Sequence, residues 1–284
     1  QWHEGGDPAP LPIEPAMFLR FDVSPDEQRI AVVVERVDGQ ELSVYDLRTG
    51  LPHVWVRGRF INGPCWAPGG ERLLVGTTDR VTQTWTILSG VPSAASSPDT
   101  LFTGSGSYGY ELFSCSNAEQ IIGGSYGSQQ HIVKIDISGS VPTLDTIVPS
   151  GMFGVLSPGG RRLAYGSEVR SIVVTAYPEM DRFSQVAQYR YEPQWLNSRE
   201  LVFRDEEGVF YRTTFGEGSN VHPSMTILWH SDTRFSDTPG SSYKVTPSGG
   251  LVYVQQPEQK PAAYLRVIPN WVEQMKRAVD EANR

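Results

Sequence analysis

"VSPDEQRIAVVVE", residues 23–35, is a turn followed by a short apolar run. Pro25 presets φ for the first corner of a turn, and Asp26 completes it. The run after it reads as a β-strand buried on both faces. The phrase returns as "WAPGGERLLVGTT" from Trp66, "CSNAEQIIGGSY" from Cys115, "LSPGGRRLAYGSE" from Leu156, "WLNSRELVFRDE" from Trp195 and "VTPSGGLVYVQQ" from Val245. Its anchors are Pro25, Pro68, Asn117, Pro158, Asn197 and Pro247, separated by 43, 49, 41, 39 and 50 residues. Four or five places after each anchor stands an apolar residue: Ile30, Leu73, Ile122, Leu163, Leu201 and Leu251.

A second, alternating strand follows each copy. These are "ELSVYDL" at Glu41, "QTWTIL" at Gln83, "HIVKIDI" at His131, "SIVVTAY" at Ser171, "GVFYRTTF" at Gly208 and "AAYLRVI" at Ala262. A period of roughly 40 to 50 residues holding about four strands is the mark of a β-propeller blade. Six copies predict an all-β, six-bladed propeller spanning residues 1–284 as one domain, with blades beginning near 18, 60, 108, 151, 190 and 241. "PAMFLRF", Pro15 to Phe21, supplies the first inner strand. Pro10 to Glu14 is expected to add the outer strand of the last blade and so latch the ring, since a closed ring leaves no sheet edge.

The end of the chain differs in kind. "PNWVEQMKRAVDEANR" predicts a helix over 270–283, with Asn270 as cap and Glu273 reaching back to it. Trp271 and Met275 share its apolar face with Ala278 or Val279 and Ala282. That face docks on the propeller or meets a partner.

Composition narrows the partners. The chain has 284 residues, a net charge of −8 and a sequence pI near 5.2. Nucleic acid would want a basic face and is not expected. No run of about 18 apolar residues occurs, so no membrane insertion by this chain is expected. No basic segment followed by an apolar one marks a signal peptide. The chain begins at Gln1 rather than Met, as expected of a mature secreted form or of a piece of something longer. Cys65 and Cys115 could pair, but two cysteines make neither a disulfide framework nor a zinc site. They read as buried free thiols and leave the redox compartment open.

The repeat resembles the TolB-like, or PD40, repeat of six-bladed bacterial propellers. Ser24-Pro25-Asp26 and Asp46-Leu47-Arg48-Thr49-Gly50 carry it best, and Ser157-Pro158-Gly159-Gly160 carries part of it. Blades three and five depart, with Asn117 and Asn197 where the pattern has Pro. The resemblance covers roughly residues 18–270 and speaks to fold more than to function. Asn270, Trp271, Met275 and Lys276 add a shorter one, to the end of bacterial serine/threonine kinases that carry a TolB-like sensor propeller beyond a membrane helix. The chain itself has no kinase motifs.

Gly123-Gly124-Ser125-Tyr126-Gly127 matches G-x-S-x-G, the elbow of hydrolases with a nucleophilic serine. A working elbow needs a helix next, and "SQQHIVKIDI" alternates as a strand does. Ser125 therefore reads as part of a blade hairpin. The histidines, His3, His53, His131, His222 and His230, form no metal-binding pair, and no metal or cofactor is expected. "GSGSYG", Gly104 to Gly109, lacks the lysine and helix of a phosphate loop and reads as an inter-blade connection.

Propellers bind at the channel mouth, where inner strands begin. Counting back from each anchor gives Arg20, Asn62, Tyr110, Phe153, Glu192 and Tyr243 as a candidate ligand ring, with channel filling as the alternative. Trp66 and Trp195 read as blade-to-blade packing. What the resemblance implies is a non-catalytic, extracytoplasmic sensor or interaction module of a bacterial signalling protein. It would bind a protein, peptide or glycan at the channel or rim. The alternatives are a free-standing periplasmic scaffold and a propeller enzyme, a lactonase, lyase or hydrolase, with a metal at the mouth.

Overall fold

The computed structural model describes residues 7–93, 95–106, 110–115, 120–126, 130–139, 141–216, 224–230 and 242–255. Five antiparallel four-stranded sheets follow one another, each a meander in chain order. Their inner strands are Phe18–Val23, Phe60–Trp66, Tyr110–Ser114, Met152–Leu156 and Tyr191–Trp195. Their outer strands are Pro52–Gly58, Asp99–Ser105, Thr143–Val148, Phe183–Gln188 and Ser224–His230. The sixth repeat gives a two-stranded sheet, Tyr243–Val245 with Leu251–Tyr253. The chain thus has five complete blades among the described residues, not the six expected. The strand predicted at Ala262 and the helix with Trp271 and Met275 lie outside those residues.

Why the repeat phrase makes a blade is visible in blade 1. In the strand Arg29–Arg36, Ala31 and Val33 pack toward blade 2, while Ile30, Val32 and Val34 pack toward the sixth sheet. Side chains alternate across a strand, so burial on both faces demands an unbroken apolar run. All six apolar residues after the anchors are buried, at 3% exposure or less. Six apolar clusters fill the seams in turn, from blade 1 against blade 2 round to the sixth sheet against blade 1. The ring closes through Val252, which packs with Phe21, Ile30 and Tyr45. Lys244 lies 3.4 Å from the Asp22 carboxylate, and the Ser248 N–H donates to Glu27 at 2.6 Å.

Two polar clasps reinforce the seams, and they repeat. The Trp66 indole N–H donates to the Asp22 carbonyl of the preceding blade at 3.2 Å, and the Trp195 indole donates to the Val155 carbonyl at 3.1 Å. In return Arg29 donates to the Gly70 carbonyl at 2.6 Å and lies 4.6 Å from the centre of the Trp66 ring. Arg162 likewise donates to the Ser198 carbonyl at 3.0 Å. Trp66 and Trp195 are seam residues, as their place before the anchor implied.

The tight turns are held by aspartates. Asp46 accepts the N–H groups of Arg48 and Thr49, Asp79 those of Val81 and Thr82, and Asp136 that of Ser138. The Ser138 hydroxyl also donates to Asp136, at 2.6 Å, and is the larger influence there; together these bonds favour the carboxylate form and hold all three carboxyls below their ordinary range.

Two expectations are corrected. Cys65 and Cys115 are bonded to each other, with Cα atoms 6.0 Å apart. Cys65 is near the end of the inner strand Phe60–Trp66 and Cys115 directly follows the inner strand Tyr110–Ser114, three and two residues before their anchors, where adjacent blades bring the chain ends of these strands together. Residues 7–16 form no strand; Leu11 and Ile13 pack instead on the apolar seam between blade 1 and the sixth sheet.

The bridge joins residues 50 apart in sequence. Replacing Cys65 with Ser should lower the free energy of unfolding by about 2–5 kcal/mol in urea titration. Reductant should lower it equally in the wild type and not in the variant; an unchanged midpoint would exclude the bridge. The turn aspartates set a pH window. Their contribution is intact above the unfolded carboxylate value of about 3.9 and fades as pH falls through the lower folded values. Asp46→Asn should flatten the loss of stability between about pH 4 and pH 2, read by thermal melts.

Candidate functional site at the channel mouth

One face of the disc carries the starts of the inner strands and the loops between the second and third strands of each blade. Each inner strand of the five blades contains a bulge, at Phe18/Arg20, Ile61/Pro64, Met152/Val155 and Tyr191/Gln194, and opposite Ile122/Gly123 in blade 3. A bulge puts two residues against one and re-aims the side chains that follow. Phe153 and Glu192 take the left-handed backbone there, with φ of 57° and 53°.

The six residues expected to form one ring are therefore divided. Arg20 reaches from blade 1 to Glu111 of blade 3, with Nε 3.1 Å from the carboxylate. The two blades are not neighbours, so this pair crosses in front of blade 2's inner strand. Gly63 makes room for it: a Cβ there would lie 3.0 Å from Glu111 Cγ. Asn62 is turned to its own blade and donates to Thr78 Oγ1 at 3.1 Å. Tyr110 packs edge-on against Trp85, with ring centres 4.9 Å apart, and burial raises its phenol pKa. Phe153 is a core residue, buried beside Phe113.

Glu192 and Tyr243 do meet, at the seam between blade 5 and the sixth sheet. The Tyr243 hydroxyl donates to the Glu192 carbonyl at 2.5 Å and to the Val202 carbonyl at 3.1 Å. Full burial pushes its phenol well above the ordinary value. The Glu192 carboxylate accepts from Ser242 and lies 3.4 Å from Arg204 Nε. Arg204 also donates to Ser242 Oγ at 2.9 Å. Beside this cluster, Asp205 accepts from the Tyr211 hydroxyl at 2.8 Å, and Arg190 lies over the Tyr211 ring. Further out, Glu206 accepts from Tyr191 and from Arg170.

Glu111, Arg204, Ser242 and Asp205 were missed in the sequence. Glu111 is next to a predicted position, and a one-residue allowance for the bulge finds it. Arg204, Ser242 and Asp205 carry no sequence signal beyond being polar among apolar neighbours. What this mouth offers chemically is charge already neutralised: each buried acid faces a guanidinium. Among the described residues no three His, Cys, Asp or Glu side chains gather as metal ligands would. Ser125 lies within a strand, paired with His131 on one side and Tyr110 on the other, and is no elbow.

The sequence matches no protein-family model and no curated protein. Solved structures show the fold. TolB from Acinetobacter baumannii is similar with a TM-score of 0.59 at 16% identity, over 76% of this chain and 55% of that one. The chain thus matches little more than half of that protein's length. A TolB-type protein from Agrobacterium tumefaciens is similar with a TM-score of 0.63 at 16% identity, over 85% of this chain and 91% of that one. The β-propeller domain of Cps50 (Swd1) from Myceliophteria thermophila gives 0.55 at 14%, over 75% and 71%. The chain has a TolB-like β-propeller fold. The resemblance to kinase sensor propellers finds no support among these structures.

A double-mutant cycle with Arg20→Met and Glu111→Gln should give a coupling above about 0.5 kcal/mol in unfolding free energy; additive effects would dissolve the pair. Tyr243→Phe should cost about 1 kcal/mol, because two buried carbonyls lose their donor. Tyr243→Ala should cost about 3–5 kcal/mol, as for other large core rings.

Proposed function

We propose that this chain is a non-catalytic, extracytoplasmic propeller that binds a protein partner across its channel-mouth face. One observation carries the reading: the polar side chains at the mouth are engaged with one another. Arg20 is spent on Glu111, Glu192 on Arg204 and Ser242, and Tyr243 is buried. A small ligand would have to break these pairs, whereas a protein needs only the surface above them. That surface carries apolar residues at its loop tips. Val37, Val81 and Val169 stand on the second loops of blades 1, 2 and 4, and Tyr189 stands before blade 5, all at 67% exposure or more. Arg170 and Tyr191 lie close by. Exposed aromatic, arginine and aliphatic groups on a rigid frame suit a protein interface.

The Cys65–Cys115 bond favours an oxidising compartment. No helix among the described residues is long and apolar enough to cross a membrane. A role as the sensor of a bacterial signalling protein rests on the sequence resemblance at Asn270–Lys276, outside the described residues.

The test is cross-linking of the oxidised protein in an extracytoplasmic extract. A variant with Val37, Val81, Val169 and Tyr189 all changed to Asp should lose protein adducts that the wild type forms. A variant of the opposite face, Leu51→Asp with Val141→Asp, should keep them. Equal adducts in all three would overturn the reading.

A further inference from the structure

The outer strands of the five blades share one irregularity, a bulge at Trp55, Leu101, Ile147, Val186 and Leu228. Two residues before it stand His53, Asp99, Asp145, Ser184 and Thr226. The last four are exposed, as polar side chains on an outer strand should be. Among these five blades, blade 1 alone turns the position inward. His53 pairs with Val44, whose side chain packs toward blade 2, and opposite residues of an antiparallel pair share a face. The imidazole therefore enters the seam between blades 1 and 2, at the end away from the channel mouth.

What it meets there belongs to blade 2. A ring N–H donates to the carbonyl of Pro92, itself a buried residue. Beside it the bulged Trp55 fills the same seam. A Cβ on Gly90 would lie 3.2 Å from Trp55 Cζ2 and 3.3 Å from Pro98 Cα, so the indole and Pro98 close on one glycine. Yet this rim is poorly satisfied. His53 Nε2 and the Trp55 indole nitrogen are both buried without a hydrogen-bond partner. An unpaired nitrogen is tolerable in a neutral ring. In the imidazolium it becomes a donor carrying charge, and burying that unpaired costs far more.

The surrounding charges do not relieve the cost. The elements packed around the ring carry Arg29, Asp46 and Arg48 from blade 1 and Arg72 and Asp99 from blade 2. Arg29 acts on the ring and, as a cation, also favours the neutral form. Asp46 is held by the N–H groups of Arg48 and Thr49, and Arg72 donates to Ser89. Asp99 is exposed on its own strand. Burial is the largest influence and holds the imidazole below its ordinary pKa; the Pro92 carbonyl opposes it and Arg29 adds to it.

We propose that His53 makes the outer rim of the blade 1–blade 2 seam an acid-sensitive switch: protonation drives the ring out and parts the two blades there. The clasps of Trp66 and Arg29 keep the inner part of the seam shut. The closed rim binds the proton less well than the open one. Closure is therefore complete above the ordinary histidine value of about 6.5 and weakens as pH falls through it toward the lower value of the closed state. Carboxylates titrate near about 4, so the two responses separate. The rim lies away from the channel mouth, so the switch stands independently of the function proposed above.

The experiment is hydrogen–deuterium exchange of the whole chain at about pH 7.5 and about pH 5.5, either side of the histidine range and corrected for intrinsic rates, beside an NMR titration of the histidines. In the wild type, exchange across residues 53–57 and 86–90 should rise at least about threefold at the lower pH, while residues 163–175 of blade 4 should not change. His53→Gln and His53→Phe cannot take the proton, and both should remove the rise. The histidine resonance that both variants lack should titrate below about 6.5. An equal rise in the variants overturns the proposal. So does no rise in the wild type, or a midpoint at or above that ordinary value.

Discussion

A four-stranded blade has two apolar faces and can bury both only between two other blades. Everything else in this molecule follows from that constraint. It explains why Ile30 to Val34 is unbroken in its apolar character and why its alternate residues serve different seams. It explains why the tryptophan and arginine clasps repeat at fixed places, since each seam must also satisfy the polar groups it covers. It explains, too, why the sixth repeat closes on the first: Lys244, Ser248 and Val252 all engage blade 1, whose outer apolar face would otherwise meet water.

Much of this was legible in the sequence, because the repeat is a physical unit. The turn residues and the apolar run recur together, so six anchors locate six buried positions from Ile30 to Leu251. The cysteines show what was legible and misread. Counting cysteines says little, but placing them on the repeat says a great deal. Cys65 and Cys115 lie three and two residues before the anchors of neighbouring blades, and adjacent inner strands bring such positions within bonding reach. The N-terminal segment was misread for a different reason. Pro8, Pro10, Pro12 and Pro15 remove ladder donors, and the segment contributes Leu11 and Ile13 to a seam without joining a sheet.

The candidate site was less legible, and the inner-strand bulges are the cause. Counting back a few residues from each anchor, four to seven for the six named, assumes an unbroken alternation. Each bulge breaks it, so the counted positions include a channel arginine, a core phenylalanine and a buried tyrosine. Pairing partners such as Arg204 and Ser242 come from other strands and other blades, and single-chain spacing does not report them. The outcome is a mouth whose charges are matched internally and whose loop tips are apolar.

The ring is closed, and the sixth repeat is as firmly held as its neighbours. Hydrogen–deuterium exchange tests it most directly. The paired amides of residues 243–245 and 251–253 should exchange about as slowly as those of residues 30–34, because both lie in buried seams. Fast exchange at 243–253 beside slow exchange in blade 1 would mean an open ring.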